Sequence, residues 1–412
     1  MTITREDCAA RDHCDRLAMF RDRFVLPPGV IYLDGNSLGP LPRATPARLL
    51  EVAEIEWGTA LIRAWNRHDW IGLPRRVGEK IARLIGAPPG STIVADSTSV
   101  NVFKALAAAL ALRPERRVMV SEAGNFPTDL YVAQGLAALL GRGHTLRRVE
   151  DDDIAAAIDA DVAAVLLTHV DYRSGRMLDM AAITRAAHAA GAVVIWDLAH
   201  SAGAVPLDLA KCDVDFAIGC GYKYLNGGPG APAFLHVAPR LLDAVAMPLT
   251  GWLGHADPFA FDGDFRAAPG IARGQVGTPA VLSLAALEVG VDLALEAPED
   301  AVRAKSLALT GLFAGLVAQE CGDFGFECIT PAEEVRRGSQ VSFRHPEGYA
   351  IMQALIARGV IGDFRAPDVL RFGCTPLTLR HADVWDAVAI LREVMQMHAY
   401  RAPEFRVRHA VT

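Results

Sequence analysis

Through the middle of the chain, short apolar and β-branched runs alternate with stretches whose apolar residues recur at helical spacing. Residues 117–121, 163–169 and 192–197 read as strands, and 102–112, 130–140 and 180–190 as helices. The segment DFAIGCGYKYLNGGPGAPAFLHV follows as two strands joined by a glycine-rich link. Strands that are apolar at every position have both faces covered. The pattern therefore predicts an α/β fold, a mainly parallel sheet with helices on both faces. Such sheets bind ligands beyond the carboxyl ends of their strands, so polar residues there are the first candidates for chemistry.

Upstream, a short helix-like stretch precedes VIYLDGNSLGPLP, a strand that breaks into a Gly/Pro turn, and helical periods run from about 47 to 85. Downstream, a helical run over 279–295 ends in acidic APEDAV. A strand at 340–344, a helix at 348–358, a strand at 369–373 and a helix at 382–397 follow, which suits a smaller C-terminal α+β domain. The expected organisation is an N-terminal segment 1–45, a large domain 46–295 and a small domain 296–412.

Composition narrows the function. Of 412 residues, 51% are hydrophobic and 22% charged, which excludes a disordered chain. The net charge of −7 argues against nucleic-acid or membrane-surface partners. Seven scattered cysteines without a C-x-x-C pair suit reduced thiols rather than disulfides or a metal site. The polar N-terminus is unlike a signal peptide, and apolar runs such as 106–112 are too short to span a bilayer, so a cytoplasmic protein is expected.

The strongest chemical signal is AVVIWDLAHSAG followed by GCGYKYLNGGPG. Asp197 closes an apolar strand, His200 stands three residues later, and Lys223 sits in a Gly/Tyr-rich turn. Alone, Asp197 reads as a helix cap and Lys223 as a solvated turn residue. Together they are costly to bury unless each has a partner. Pyridoxal 5′-phosphate supplies both, because the lysine condenses with its aldehyde while the aspartate pairs with its pyridinium nitrogen.

The stretches YLDGNSLGPLP (32–42), DSTSVN (96–101), NFPTD (125–129), DLAHSAG (197–203), GYKYLNGGPG (221–230), GWLGH (251–255) and RFGCTPL (371–377) together resemble the kynureninase family. That family lies within the class V aminotransferase group of fold-type I pyridoxal-phosphate enzymes. The resemblance covers nearly the whole chain in order. GNSLG, FPTD and YKYLNGGPG in combination are specific to kynureninases, whereas the aspartate and lysine alone mark only the wider group. It implies hydrolysis of L-kynurenine, and of 3-hydroxykynurenine, to anthranilate or 3-hydroxyanthranilate and L-alanine in tryptophan degradation.

The resemblance also distributes roles. Lys223 is implied to hold the cofactor and then act as base at Cα, Tyr222 to touch the phosphate and move protons, and Asp197 to keep the pyridine nitrogen protonated. His200 bonds the phenolic oxygen or the phosphate. Thr98 and Ser99 lie before a helix expected near Asn101, where backbone amides suit a phosphate and the hydroxyls equally suit capping. Phe126 takes the place of the ring-stacking aromatic, Thr128 and Asp129 complete its turn, and Thr168 ends its strand toward the cofactor crevice. Arg371 clamps the substrate carboxylate, a task a planar guanidinium performs better than lysine. Trp65 lies in WNRHDW (65–70), which borders the substrate's aryl group; the choice among Trp65, His68 and Trp70 stays open. Trp252 and Thr278 reach the phosphate of a neighbouring subunit, implying a homodimer with shared active sites, although asparagine is common at the Thr278 position. The charged stretches 150–153 and 333–337 read as solvated faces.

Two other readings stand beside this one. Another class V activity, such as cysteine desulfurase, selenocysteine lyase or aminotransferase, shares Asp197 and Lys223. A desulfurase needs a nucleophilic cysteine on a mobile loop, and Cys321 and Cys328 lie in CGDFGFECI, a strand-like context expected to bury both thiols. A silent cofactor-binding module could lose Lys223, Asp197 and Arg371, yet all three are present.

Overall fold

The computed structural model describes residues 2–150 and 153–408. Asp151 and Asp152, from the charged stretch at 150–153, lie outside them. The chain divides into two compact units: residues 44–169 with 178–295, and residues 1–43 with 170–177 and 296–412.

The larger unit holds a seven-stranded sheet in the spatial order Thr92–Val94, Phe234–Val237, Phe216–Gly219, Val193–Asp197, Val162–Thr168, Val118–Glu122, Thr145–Val149. Phe234–Val237 runs antiparallel to both neighbours, and the other pairings are parallel. Strand alternation sends Val165, Leu167, Val194 and Trp196 to one face, with the helices Leu73–Leu84, Met180–Ala189 and Val281–Glu296. Ala164, Leu166, Val193 and Ile195 point to the other face, against Thr98–Leu112 and Pro127–Leu140. This is the α/β architecture expected from the pattern. Two edge strands escape prediction: Thr92–Val94 is only three residues long, and Thr145–Val149 carries two arginines in place of an apolar run.

The smaller unit carries an antiparallel sheet in the order Asp363–Arg365, Val369–Gly373, Gln340–Arg344, Glu327–Cys328. Contrary to the expectation about apolar runs, the helical stretch Glu299–Phe324 is long and apolar enough, by length and composition, to cross a membrane. Half of its apolar window is buried. Leu309, Leu312, Phe313 and Leu316 share a core with Val384, Val388 and Leu391 of the helix His381–Gln396, which accounts for the composition.

Residues 1–43 do not stand as a separate N-terminal segment. The helix Arg5–His13 packs on His381–Gln396, with Cys8 in the same core as Val384, and Ile31–Tyr32 pairs in parallel with Val360–Ile361. A nine-residue helix and a two-residue strand lack independent stability, so they join a larger body. Residues 170–177, expected in the large domain, form a hairpin closed at Val170 and Met177. They belong to the smaller unit because the Met177 and Gly338 amides donate to the Arg336 and Gly175 carbonyls. Two side-chain expectations also change. Cys328, on a two-residue edge strand, is exposed. Arg337 is buried, its guanidinium satisfied by Thr310 Oγ1 (3.3 Å) and the Ala332 carbonyl.

Candidate active site

Lys223 sits between the strands Phe216–Gly219 and Phe234–Val237. Its turn is closed by the Asn226 amide donating to the Lys223 carbonyl (3.0 Å) and the Gly227 amide donating to the Gly221 carbonyl (2.9 Å). Asn226 has a φ of 54°, a left-handed conformation that asparagine tolerates. A Cβ at Gly221 would stand 2.5 Å from the Pro232 carbonyl oxygen, so only glycine lets the two arms of the turn approach this closely. The turn presents Lys223 half-buried, with Nζ 2.8 Å from His200 Nε2 and 5.9 Å from the Tyr222 ring centroid.

Asp197 ends its strand in register with Thr168 on one side and Ile218 on the other, and the Ala199 amide donates to its Oδ1 (2.7 Å). Asp129 lies in the first turn of the helix Pro127–Leu140. Both its oxygens are buried, with no hydrogen-bond partner among the described residues. Burial raises both carboxyls above their ordinary range. The Asp197 charge raises Asp129 further, while Lys223 pulls each of them down. Two buried carboxyls facing one lysine make a pocket short of positive charge. Burial, with Cys220 and Asp197 nearby, also lifts the Tyr222 hydroxyl above the usual phenol range, so it stays protonated at neutral pH.

Thr98 and Ser99 prove to be the first two residues of the helix Thr98–Leu112, and Ser97 is its cap, accepting from the Val100 amide (3.4 Å). Their amides therefore belong to the unsatisfied first turn that attracts anions. Together with Tyr222, Gln275 and Thr278 they line a cavity of about 410 Å³. Thr278, expected to serve a neighbouring copy, thus lines a cavity of its own chain. Lys104, the only charged residue of this helix, is fully buried and ties two of the pocket's segments together. It donates to Asp96 Oδ2 (2.7 Å) on one and to the Gly274 carbonyl (2.8 Å), next to Gln275, on the other.

Phe126, 41% exposed, precedes the helix Pro127–Leu140, and Thr128 is half-buried in the first turn. The Thr168 hydroxyl donates to Asn125 Oδ1 (2.5 Å). Trp252 lies outside the cavity lining and joins an exposed aromatic cluster, stacked on Phe261 (6.4 Å between centroids) and edge-on to Phe259 (5.6 Å). Trp65 packs edge-on against Trp70 (5.7 Å). Of Trp65, His68 and Trp70, only Trp70 lines the neighbouring opening, which shares Pro279 and Ala280 with the larger cavity.

In the smaller unit, Arg371 is almost fully buried. Its Nε and Nη2 donate to Asp363 Oδ1 (3.1 Å) and Oδ2 (2.7 Å), Nη2 also to Ser37 Oγ (2.6 Å), and Nη1 to the Tyr172 carbonyl (2.7 Å). One of its five N–H groups is left over, so holding a carboxylate at two points requires the Ser37 contact to yield. Sequence reasoning singles out none of Asn125, Lys104 and Asp363. A lone lysine in an uncharged apolar helix is a visible signal; Asp363 faces Arg371 only through sheet register.

Residues 302–391 match the family model described as Kynureninase C-terminal domain. The chain is 52% identical to the kynureninases of Pseudomonas fluorescens and Burkholderia pseudomallei (strain 1106a), each over 414 residues covering 99% of this chain and 100% of the relative. Among solved structures it is similar to an apo cysteine desulfurase from Thermococcus onnurineus NA1, with a TM-score of 0.77 and 18% identity over 92% of this chain and 98% of that one. It is also similar to a C-DES mutant with glycine covalently linked to its PLP cofactor, with a TM-score of 0.78 and 20% identity over 90% and 99%. Identities this low establish the fold, that of the fold-type I enzymes. The full-length match at 52% establishes more: the chain belongs to the kynureninase family.

Proposed function

We propose that the chain hydrolyses L-kynurenine, and also 3-hydroxykynurenine, to anthranilate or 3-hydroxyanthranilate and L-alanine, with pyridoxal phosphate held at Lys223. The observation that carries this reading is the Lys223 amine, 2.8 Å from His200 and electrostatically coupled to the buried carboxyls Asp129 and Asp197. The fit to the cofactor is chemical. A protonated pyridine ring answers the deficit of positive charge around Asp129 and Asp197. The helix start at Thr98 and Ser99, with Tyr222, His200 and Thr278, suits a phosphate. Phe126, Thr128 and Thr168 would hold the ring.

When bound, pyridoxal phosphate supplies an aldehyde for amines and a ring that takes up electrons released at Cα and Cβ. Lys223 would hold the cofactor through its amine and, when that amine is free, would serve as the base for the Cα proton. His200 would hold Nζ in place, and Asp197 would keep the proton on the ring nitrogen. Water adds to the γ-carbonyl of kynurenine, the Cβ–Cγ bond breaks, and the aryl carboxylate leaves. Tyr222, protonated at neutral pH, would give Cβ the proton it needs, and Lys223 would restore to Cα the proton it took, which leaves L-alanine. Arg371 is assigned the substrate carboxylate, and Trp65 with Trp70 the aryl group.

A homodimer is part of the proposal. The exposed cluster of Trp252, Phe259 and Phe261 is a surface that a second copy would cover, with Trp252 reaching the partner's cofactor. Seven free thiols fit a reducing cytoplasm. Purified protein loaded with pyridoxal phosphate should release anthranilate and alanine in equal amounts from L-kynurenine, and borohydride should fix the cofactor to Lys223. Sulfur release from cysteine without anthranilate formation would overturn the reading in favour of a desulfurase.

A further inference from the structure

We infer that Asn125 is a positioning residue for the cofactor pocket, one that commits the hydroxyl proton of Thr168 to the protein so that Thr168 meets the cofactor as an acceptor. This rests on the pyridoxal-phosphate reading above. Oδ1 of Asn125 lies 2.6 Å from the Phe126 amide nitrogen and 2.5 Å from Thr168 Oγ1, and Nδ2 lies 3.0 Å from Ser121 Oγ. A backbone N–H can only donate, so the side-chain atom facing Phe126 is the oxygen. That oxygen cannot donate, so the Thr168 hydroxyl must donate to it. The amide nitrogen must in turn donate to Ser121, whose own proton goes to the Leu166 carbonyl (2.7 Å). The direction of each hydrogen bond along Thr168, Asn125, Ser121 and Leu166 is thereby assigned.

The three side chains are at most 3% exposed, so water does not compete for these bonds. Thr168 is in register with Asp197, and the Phe126 carbonyl accepts from the Asp129 amide (3.0 Å). One asparagine thus ties the strand end beside Asp197 to the helix start that carries Phe126 and Asp129. The spacing of the two elements flanking the ring depends on it.

The test uses the holoenzyme, with pyridoxal phosphate as the probe. Asn125→Ala, Thr168→Val and the double variant are compared for the cofactor's dissociation constant and for the visible circular dichroism of the bound cofactor. Asn125→Ala is expected to weaken binding about ten-fold and to alter the dichroic band, with the double variant no weaker than the weaker single variant. A merely structural role would lower the melting temperature and leave both cofactor readouts at wild-type values. That result, or additive losses in the double variant, overturns the inference. Should Asn125→Ala fail to fold, Ser121→Ala removes the acceptor of Nδ2 together with the donor to the Leu166 carbonyl, leaves Asn125 and Thr168 in place, and must move the band in the same sense; an unmoved band is equally fatal. A wild-type chain that takes up no pyridoxal phosphate would bring down the functional reading and this inference together. Wild-type uptake with an indifferent Asn125→Ala brings down the inference alone.

Discussion

Asp363 and Asp129 are carboxyl groups at the same depth, each 1% exposed, in different units of the chain. Asp363 receives Arg371 on both oxygens, Arg365 at 2.6 Å and the Ser37 hydroxyl at 3.0 Å. Asp129 receives no hydrogen bond among the described residues and stands beside the charge of Asp197. A buried carboxylate surrounded by donors is a finished piece of scaffold. One without donors must either hold its proton or wait for a cation. The contrast separates the part of the molecule that shapes Arg371 from the part that is incomplete without a ligand.

The largest effect should come at the incomplete pocket. Lys223→Ala is expected to lose the borohydride-fixed cofactor and to lower kcat roughly 10⁴-fold in an anthranilate assay. A reducible lysine adduct surviving in that variant would move the cofactor site elsewhere. On the finished side, Asp363→Asn should destabilise the protein by about 3–5 kcal/mol in urea unfolding, because the buried Arg371 guanidinium loses its charged partner. A cost below about 1 kcal/mol would make Asp363 no more than a surface-type pair. Arg371→Lys, which exchanges a planar fork for a point charge, should raise the KM for kynurenine about ten-fold with a smaller change in kcat. An unchanged KM would place the substrate carboxylate at another residue.

The smallest effect has the opposite sign. Because the folded-state pKa of Asp129 is raised, the folded chain holds this proton more tightly than the unfolded chain does. Its contribution to stability is complete below the ordinary carboxylate pKa of about 4 and is lost as the pH climbs through the raised value. In the cofactor-free protein, Asp129→Asn should abolish that loss. The variant should equal or exceed the wild type by up to about 1 kcal/mol near neutral pH and converge with it in acid. Identical pH slopes for the two proteins would remove the contrast with Asp363.

What could be read from the sequence follows the range of the interactions concerned. Asp197 and Lys223 stand out because an ionisable residue at the end of an apolar run is locally anomalous. The helix beginning at Thr98 is harder to place, since Ser97, Thr98 and Ser99 can all cap and only the folded chain selects Ser97. Trp65 and Trp70 cannot be ranked by periodicity, because residues 45–67 run through α, π and 3₁₀ turns with no common period. The bond from Asn125 to Thr168 crosses 43 residues, and the pairing of Ile31 with Val360 crosses most of the chain. Neither leaves a local trace.

The smaller unit has a consequence for biosynthesis. Ser37, Tyr172 and the pair Asp363–Arg371 come from its three separate chain segments, the last of which begins at residue 296. As a ribosome delivers the chain from its amino end, the larger unit is nearly contiguous and can close early. Leu17, Phe20 and Leu33 emerge first, yet their core partners lie beyond residue 296. The nascent amino end therefore travels with its apolar side chains uncovered, and long-range closure comes last. Of the thiols buried in the finished fold, Cys8 is the one that stays open to alkylation for longest during synthesis.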